Sequence, residues 1–131
     1  MDEPIWLDRT LLEVVHTDQI LEHGGSLGIR DEGLLESALA SPIHKWSYDS
    51  RIDPAALAAA YGFGIAKNHP FIDGNKRAAL MAIYTFLAIN DFELEASEPE
   101  AVSVILAVAE GSATEDELGK WIRSCLIPWT D

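Results

Sequence analysis

Residues 69–90 read HPFIDGNKRAALMAIYTFLAIN: a polar loop that runs straight into an apolar stretch. From residue 76 onward the stretch is apolar around most of a helical circumference, the pattern of a helix buried on nearly every side. Asn90 marks its end. Upstream, Asp53-Pro54 is a cap followed by proline at the first helical position, opening AALAAAYGFGIAKN. The Ala and Gly residues of that segment suit a helix packed closely at the centre of a core. Two helices therefore flank the loop, and of the two the sequence makes the second the more buried.

Working outward, Asp31 caps a short helix with Leu34, Leu35, Ala38 and Leu39 on one face, and Ser41-Pro42 is expected to end it. Asp8 caps a first helix carrying Leu11, Leu12, Val15, Ile20 and Leu21, stopped by Gly24-Gly25. Beyond Asn90, Ser97 with Glu100 and Thr114 with Glu117 have capping-box spacing before two more apolar-periodic stretches, the last holding Leu118, Trp121 and Ile122. The alternation at residues 92–94 is too brief to predict a sheet. The pattern predicts one all-α domain over residues 1–131, a bundle of about six helices. Residues 42–52, PIHKWSYDSRI, break the helical pattern and read as a loop.

At 131 residues with 48% apolar content the chain is long enough for a true core. Its net charge of −13 repels a nucleic-acid backbone, which argues against a direct nucleic-acid partner. The lone Cys125 has no internal partner, reads as core filler and fits a reducing, cytoplasmic setting. Neither a signal segment nor an apolar run of membrane-spanning length is present in the sequence. His16, His23 and His44 have no metal-ligand spacing, and Arg30, Arg51 and Lys67 read as surface charges. Glu93, Glu95, Glu98 and Glu100 read as a solvated face.

Against that acidic background the loop before the second helix stands apart. Gly74-Asn75 precedes the helix directly, so the backbone N–H groups of residues 74–77 lack helical partners and form an anion site. Lys76 and Arg77 occupy the first turn, where the helix dipole disfavours cations, a placement that makes sense if a phosphate is held there. Asp73 stands beside that site, as carboxylates that hold Mg²⁺ next to phosphates do. His69 is placed to take a proton from an attacking hydroxyl. Phe71 and Ile72 alternate with these groups and are expected to bury themselves and fix the loop. Each residue alone reads as a cap, a turn residue or a satisfied imidazole. The set at this spacing reads as a site.

HPFIDGNKR resembles the core motif of the Fic/Doc superfamily, HPFx(D/E)GNGRxxR, and most closely its Doc (death-on-curing) branch. In that branch the second glycine is typically Lys and the last Arg is lost; here those positions hold Lys76 and Leu80. Residues 24–42, GGSLGIRDEGLLESALASP, are similar to the Doc-type N-terminal region, so the resemblance covers about residues 8–95. Gly74 departs from it, since Doc proteins often carry Ala at that position.

The resemblance implies a Fic fold with His69 as general base, Phe71 as loop anchor, and Asp73 positioning Mg²⁺ or the incoming hydroxyl. Gly74 and Asn75 would contribute phosphate contacts, Lys76 and Arg77 would bind the phosphates of ATP, and residues 42–52 would form the flap that aligns a target. It further implies a toxin held by a small antitoxin whose C-terminal segment docks in a groove. The activity implied is a protein kinase that moves the γ-phosphate of ATP to a Ser/Thr hydroxyl of a target such as elongation factor Tu. Two alternatives remain open on the sequence: transfer of AMP, as in Fic enzymes, and a silent partner-binding module.

Overall fold

The computed structural model describes residues 2–129. Helix α1 spans Arg9–His23: the Asp8 carboxylate accepts the Leu11 N–H at 2.8 Å, and Gly24 closes the helix at φ 87°. Its inward stripe is Leu12, His16 and Ile20, spaced four apart. Helix α2, Glu32–Tyr48, starts at Asp31, whose carboxylate accepts the Leu34 N–H at 2.9 Å. Helices α3, Pro54–Asn68, and α4, Asn75–Ile89, follow on either side of the loop. Helix α5 is Glu98–Glu110 and α6 is Glu115–Cys125.

The helical bundle is organised on α3, which packs against α2, α4, α5 and α6. Nine of its fifteen residues are buried, against eight of fifteen in α4, so α3 rather than α4 is the more enclosed helix. Small side chains make this possible. A methyl on Gly64 would come within 3.1 Å of the Ala38 Cβ, so glycine lets α2 and α3 touch almost backbone to backbone. The N-terminal segment is also tied down. Leu7 is buried with its N–H donated to the Tyr61 hydroxyl at 3.0 Å, and Asn90, at the end of α4, bonds both polar backbone atoms of Ile5. Burial pushes the Tyr61 phenol up to about 12. No described helix is long and apolar enough to cross a membrane.

Three local expectations are corrected. Helix α2 does not stop at Ser41-Pro42 but carries Pro42 inside it and continues to Tyr48, so the expected flap loop of residues 42–52 is mostly helix and only residues 49–52 link it to the Asp53 cap. Proline costs a helix interior about 3 kcal/mol. Here Pro42 is itself buried and Trp46, one turn on, meets Trp6 edge-to-face at 6.4 Å, so tertiary packing of the last two turns outweighs that cost.

Residues 92–94 do form a strand. Phe92–Leu94 (β1) pairs antiparallel with Leu126–Pro128 (β2), a partner supplied by the far end of the chain and invisible in local alternation. Finally, the Thr114–Glu117 box closes in both directions, at 3.1 and 3.0 Å, but Ser97–Glu100 closes in one. The Glu100 carboxylate instead accepts the Trp121 indole N–H at 3.0 Å and ties α5 to α6. Cys125 is half-buried and packs against the core, as expected.

Candidate active site

The loop between α3 and α4 is held from both ends and from one side. His69 closes α3 in the left-handed region, φ 52°, which is costly for a residue with a Cβ and requires support. Arg30 supplies that support. Its Nε donates to the His69 carbonyl and its Nη2 to the Asn68 carbonyl, both at 2.7 Å, so the guanidinium caps the last turn of α3. The backbone of residues 28–31 runs antiparallel beside the loop, with Arg30 N–H donating to the Pro70 carbonyl at 2.7 Å and Ile72 N–H to the Gly28 carbonyl at 3.1 Å. Arg30 is exposed, as expected of a surface charge, and is also part of the scaffold under His69.

Phe71 is the anchor that the sequence predicts: 1% of its surface is exposed. Its backbone N–H and C=O are both taken by the buried Asn75 amide, each at 2.9 Å. The Asn75 side chain faces inward and staples the loop, leaving only its backbone N–H for a phosphate. Ile72, expected to bury itself, is more than half exposed.

Asp73 is exposed, and its carboxylate accepts the Ser26 N–H at 3.2 Å and the Gly74 N–H at 2.9 Å. Gly25 makes this approach possible, because a methyl there would lie 2.7 Å from Asp73 Oδ2. Helix α4 then begins at Gly74, φ 75°, with no side-chain cap, and its first internal bond runs from Ala78 N–H to the Gly74 carbonyl. The N–H groups of Asn75, Lys76 and Arg77 precede that bond and lack helical acceptors, the geometry that suits an anion at a helix start. Among the described residues neither Lys76 nor Arg77 is in an ion pair, whereas Arg9, Lys45, Arg51 and Arg123 all are. Arg30, Lys67 and Lys120 are likewise in no ion pair among the described residues; what sets Lys76 and Arg77 apart is that both stand exposed in the first turn of α4.

These groups open into a cleft of about 770 Å³. Asp73, Gly74, Lys76 and Arg77 stand at one side of it, Leu80, Met81 and Tyr84 continue along α4, and Val102 and Leu106 of α5 form the facing apolar wall. Glu22 and Glu98 also line it. Burial, with the Glu98 charge adding to it, raises the Tyr84 phenol. His69 is exposed and does not line this cleft, so the structure groups Asp73 through Arg77 in one space and leaves His69 at the far end of the loop.

The donor set suits a magnesium nucleotide. Each Asp73 oxygen is used by a single backbone N–H and keeps acceptor capacity toward the cleft, and Mg²⁺ with phosphates asks for one or two protein oxygens. Among the described residues no cluster of three His, Cys, Asp or Glu side chains forms an all-protein metal cage.

The residue that the sequence reading passed over is His16. It is 3% exposed, stacked on Phe71 with ring centroids 3.8 Å apart and planes 7° from parallel, and its Nε2 lies 2.7 Å from the Asp73 carbonyl oxygen. Its place on the Leu12–His16–Ile20 stripe is the signal that marks it as buried.

A family model described as the Fic/DOC family matches residues 6–87, which takes in α1, α2, α3 and most of α4. The chain belongs to the Fic/Doc family. One curated Fic/Doc relative, "Toxin Doc" of Mycolicibacterium smegmatis, is 41% identical over 92 residues, covering 70% of this chain and 68% of that protein. Another, "Protein kinase doc" of Escherichia phage P1, is 28% identical over 112 residues, covering 86% and 88%. Both are named as Doc proteins, in keeping with the Doc-type resemblance at Lys76 and Leu80.

Proposed function

We propose that this protein is a Doc-type toxin that transfers the γ-phosphate of ATP to a Ser/Thr hydroxyl of a target protein. The observation that carries the reading is Lys76: its ammonium stands at the uncapped start of α4, on the cleft, where AMP-transferring relatives have glycine. A phosphate chain cannot lie there as it would over a glycine, and buried Leu80, one turn on, offers no charge to grip a far phosphate. Lys76, Arg77 and the first-turn N–H groups instead stabilise charge on a phosphoryl group that is being transferred. The name of the phage P1 relative, a protein kinase, points the same way.

Bound Mg²⁺ would neutralise phosphate charge, with Asp73 as its protein ligand. His69 would accept the proton of the attacking hydroxyl. Its position outside the cleft, exposed to solvent, suits a base that must meet another protein's side chain. Gly74 is explained without AMP transfer. Its backbone sits at φ 75°, a left-handed conformation that favours glycine, and a methyl there would press on the Ile20 side chain at 2.9 Å.

Elongation factor Tu is the target that the family resemblance suggests, and a small antitoxin is the partner. The cleft's apolar wall, with Val102 42% and Leu106 38% exposed, suits an amphipathic antitoxin segment. The test is the intact mass of elongation factor Tu after incubation with the protein and Mg-ATP. A gain of one phosphoryl group supports the reading; a gain of an adenylyl group, or no change with an active preparation, refutes it.

A further inference from the structure

A histidine buried to 3% is an expensive way to fill space, because the ring nitrogens lose water and must be repaid by hydrogen bonds. A leucine or phenylalanine would fill the space beside Phe71 at lower cost. What the imidazole adds is one donor at one point. A carbonyl oxygen only accepts, so the 2.7 Å contact fixes the proton on Nε2 and aims it at the Asp73 carbonyl. That carbonyl belongs to the peptide joining Asp73 to Gly74, and Gly74 is in the left-handed region at φ 75°. The orientation of this peptide decides where the Gly74 N–H points and where α4 begins. It also decides whether the Asp73 carboxylate reaches the N–H groups of Ser26 and Gly74.

We infer that His16 is a positioning residue: by holding the Asp73 carbonyl it sets the direction of the Asp73 carboxylate and of the anion-binding start of α4. The consequence for phosphoryl transfer rests on the function proposed above; the positioning itself does not. Without the Nε2 donor, the 73–74 peptide is free to turn its carbonyl toward water, and Asp73 leaves its two backbone partners. Gln and Asn separate this role from mere polarity. A glutamine at position 16 carries its amide nitrogen near the place of Nε2, whereas an asparagine carries it near Nδ1, out of reach. Both lose the stack on Phe71 equally.

His16→Gln and His16→Asn are therefore compared by amide hydrogen exchange in the free protein. Exchange at Ser26 and Gly74 is expected to be about tenfold faster in His16→Asn than in His16→Gln, the size of a lost local bond. Equal exchange in the two variants overturns the inference. Should either variant fail to fold, nitrogen NMR of the wild-type imidazole decides. A protonated Nε2 coupled through the hydrogen bond to the Asp73 carbonyl carbon supports the inference, and a proton on Nδ1 alone overturns it. In an activity arm, γ-phosphate transfer is expected to fall about tenfold in His16→Asn and to stay within about threefold of wild type in His16→Gln. If the wild-type protein transfers no phosphate, the kinase reading fails, while exchange and NMR still decide the role of His16.

Discussion

Asp73 shows how much one side chain is asked to do. Its carboxylate holds two backbone N–H groups and, in the proposed reaction, a magnesium ion. Asp73→Asn keeps an acceptor for one N–H but turns an NH₂ toward the other, a loss of about 1 kcal/mol of stability. The larger effect falls on the metal, since an amide lacks the negative charge that Mg²⁺ needs. Calorimetry should show Mg-ATP affinity reduced at least about tenfold with folding retained; equal affinity would make Asp73 a structural group only. At Lys76 the chemistry itself is at stake. Lys76→Gly is expected to lose γ-phosphate transfer by about a hundredfold or more, the cost of a missing cation at a transferring phosphoryl group. Adding Leu80→Arg should move incorporation toward the α-phosphate, and full γ-transfer by Lys76→Gly would make Lys76 an ordinary surface lysine. At this scale the polar residues of the motif were legible because their types and spacing are local. His16, Arg30 and the inward turn of Asn75 were not, because each acts through a backbone atom that only the folded chain brings near.

Among the elements, α3 depends on a cap that serves twice. The Asp53 carboxylate accepts the Ala56 N–H at 2.9 Å and also binds Arg123 of α6 through two contacts, at 2.5 and 3.0 Å. The Arg123 guanidinium holds the Asp53 carboxyl below its ordinary value of 3.8. A carboxyl depressed on folding contributes stability above that ordinary value and loses it as pH falls through the lower folded value. Arg123→Met should therefore cost about 1 kcal/mol or less at neutral pH, given how exposed the pair is, and the difference from wild type should vanish in acid well below pH 3.8. Urea midpoints across that range check it; a constant difference would mean that Arg123 acts by packing. Sequence located α1, α3, α4 and both C-terminal helices because caps and apolar periodicity are local. It failed at α2 and at β1–β2, where Trp46 meeting Trp6 and strands 32 residues apart decide the outcome, and local preference was overridden.

Across the whole molecule the charge is one-sided: −13 overall, with Lys76 and Arg77 among the residues that line the cleft. An antitoxin segment that docks on this surface is expected to be basic or amphipathic, with binding that weakens as salt rises. A short reading frame found beside the gene, co-expressed and purified with the chain, should hold it and silence transfer; a neighbour that binds without silencing would place its surface away from the cleft.

The most direct test of the central claim follows the label. The protein is incubated with elongation factor Tu and ATP labelled on either the α- or the γ-phosphate, beside folded His69→Ala, which removes the proposed base. Label is expected on the target from the γ-position alone, reduced about a hundredfold or more in His69→Ala. Incorporation from the α-position, or undiminished transfer by His69→Ala, would contradict the account.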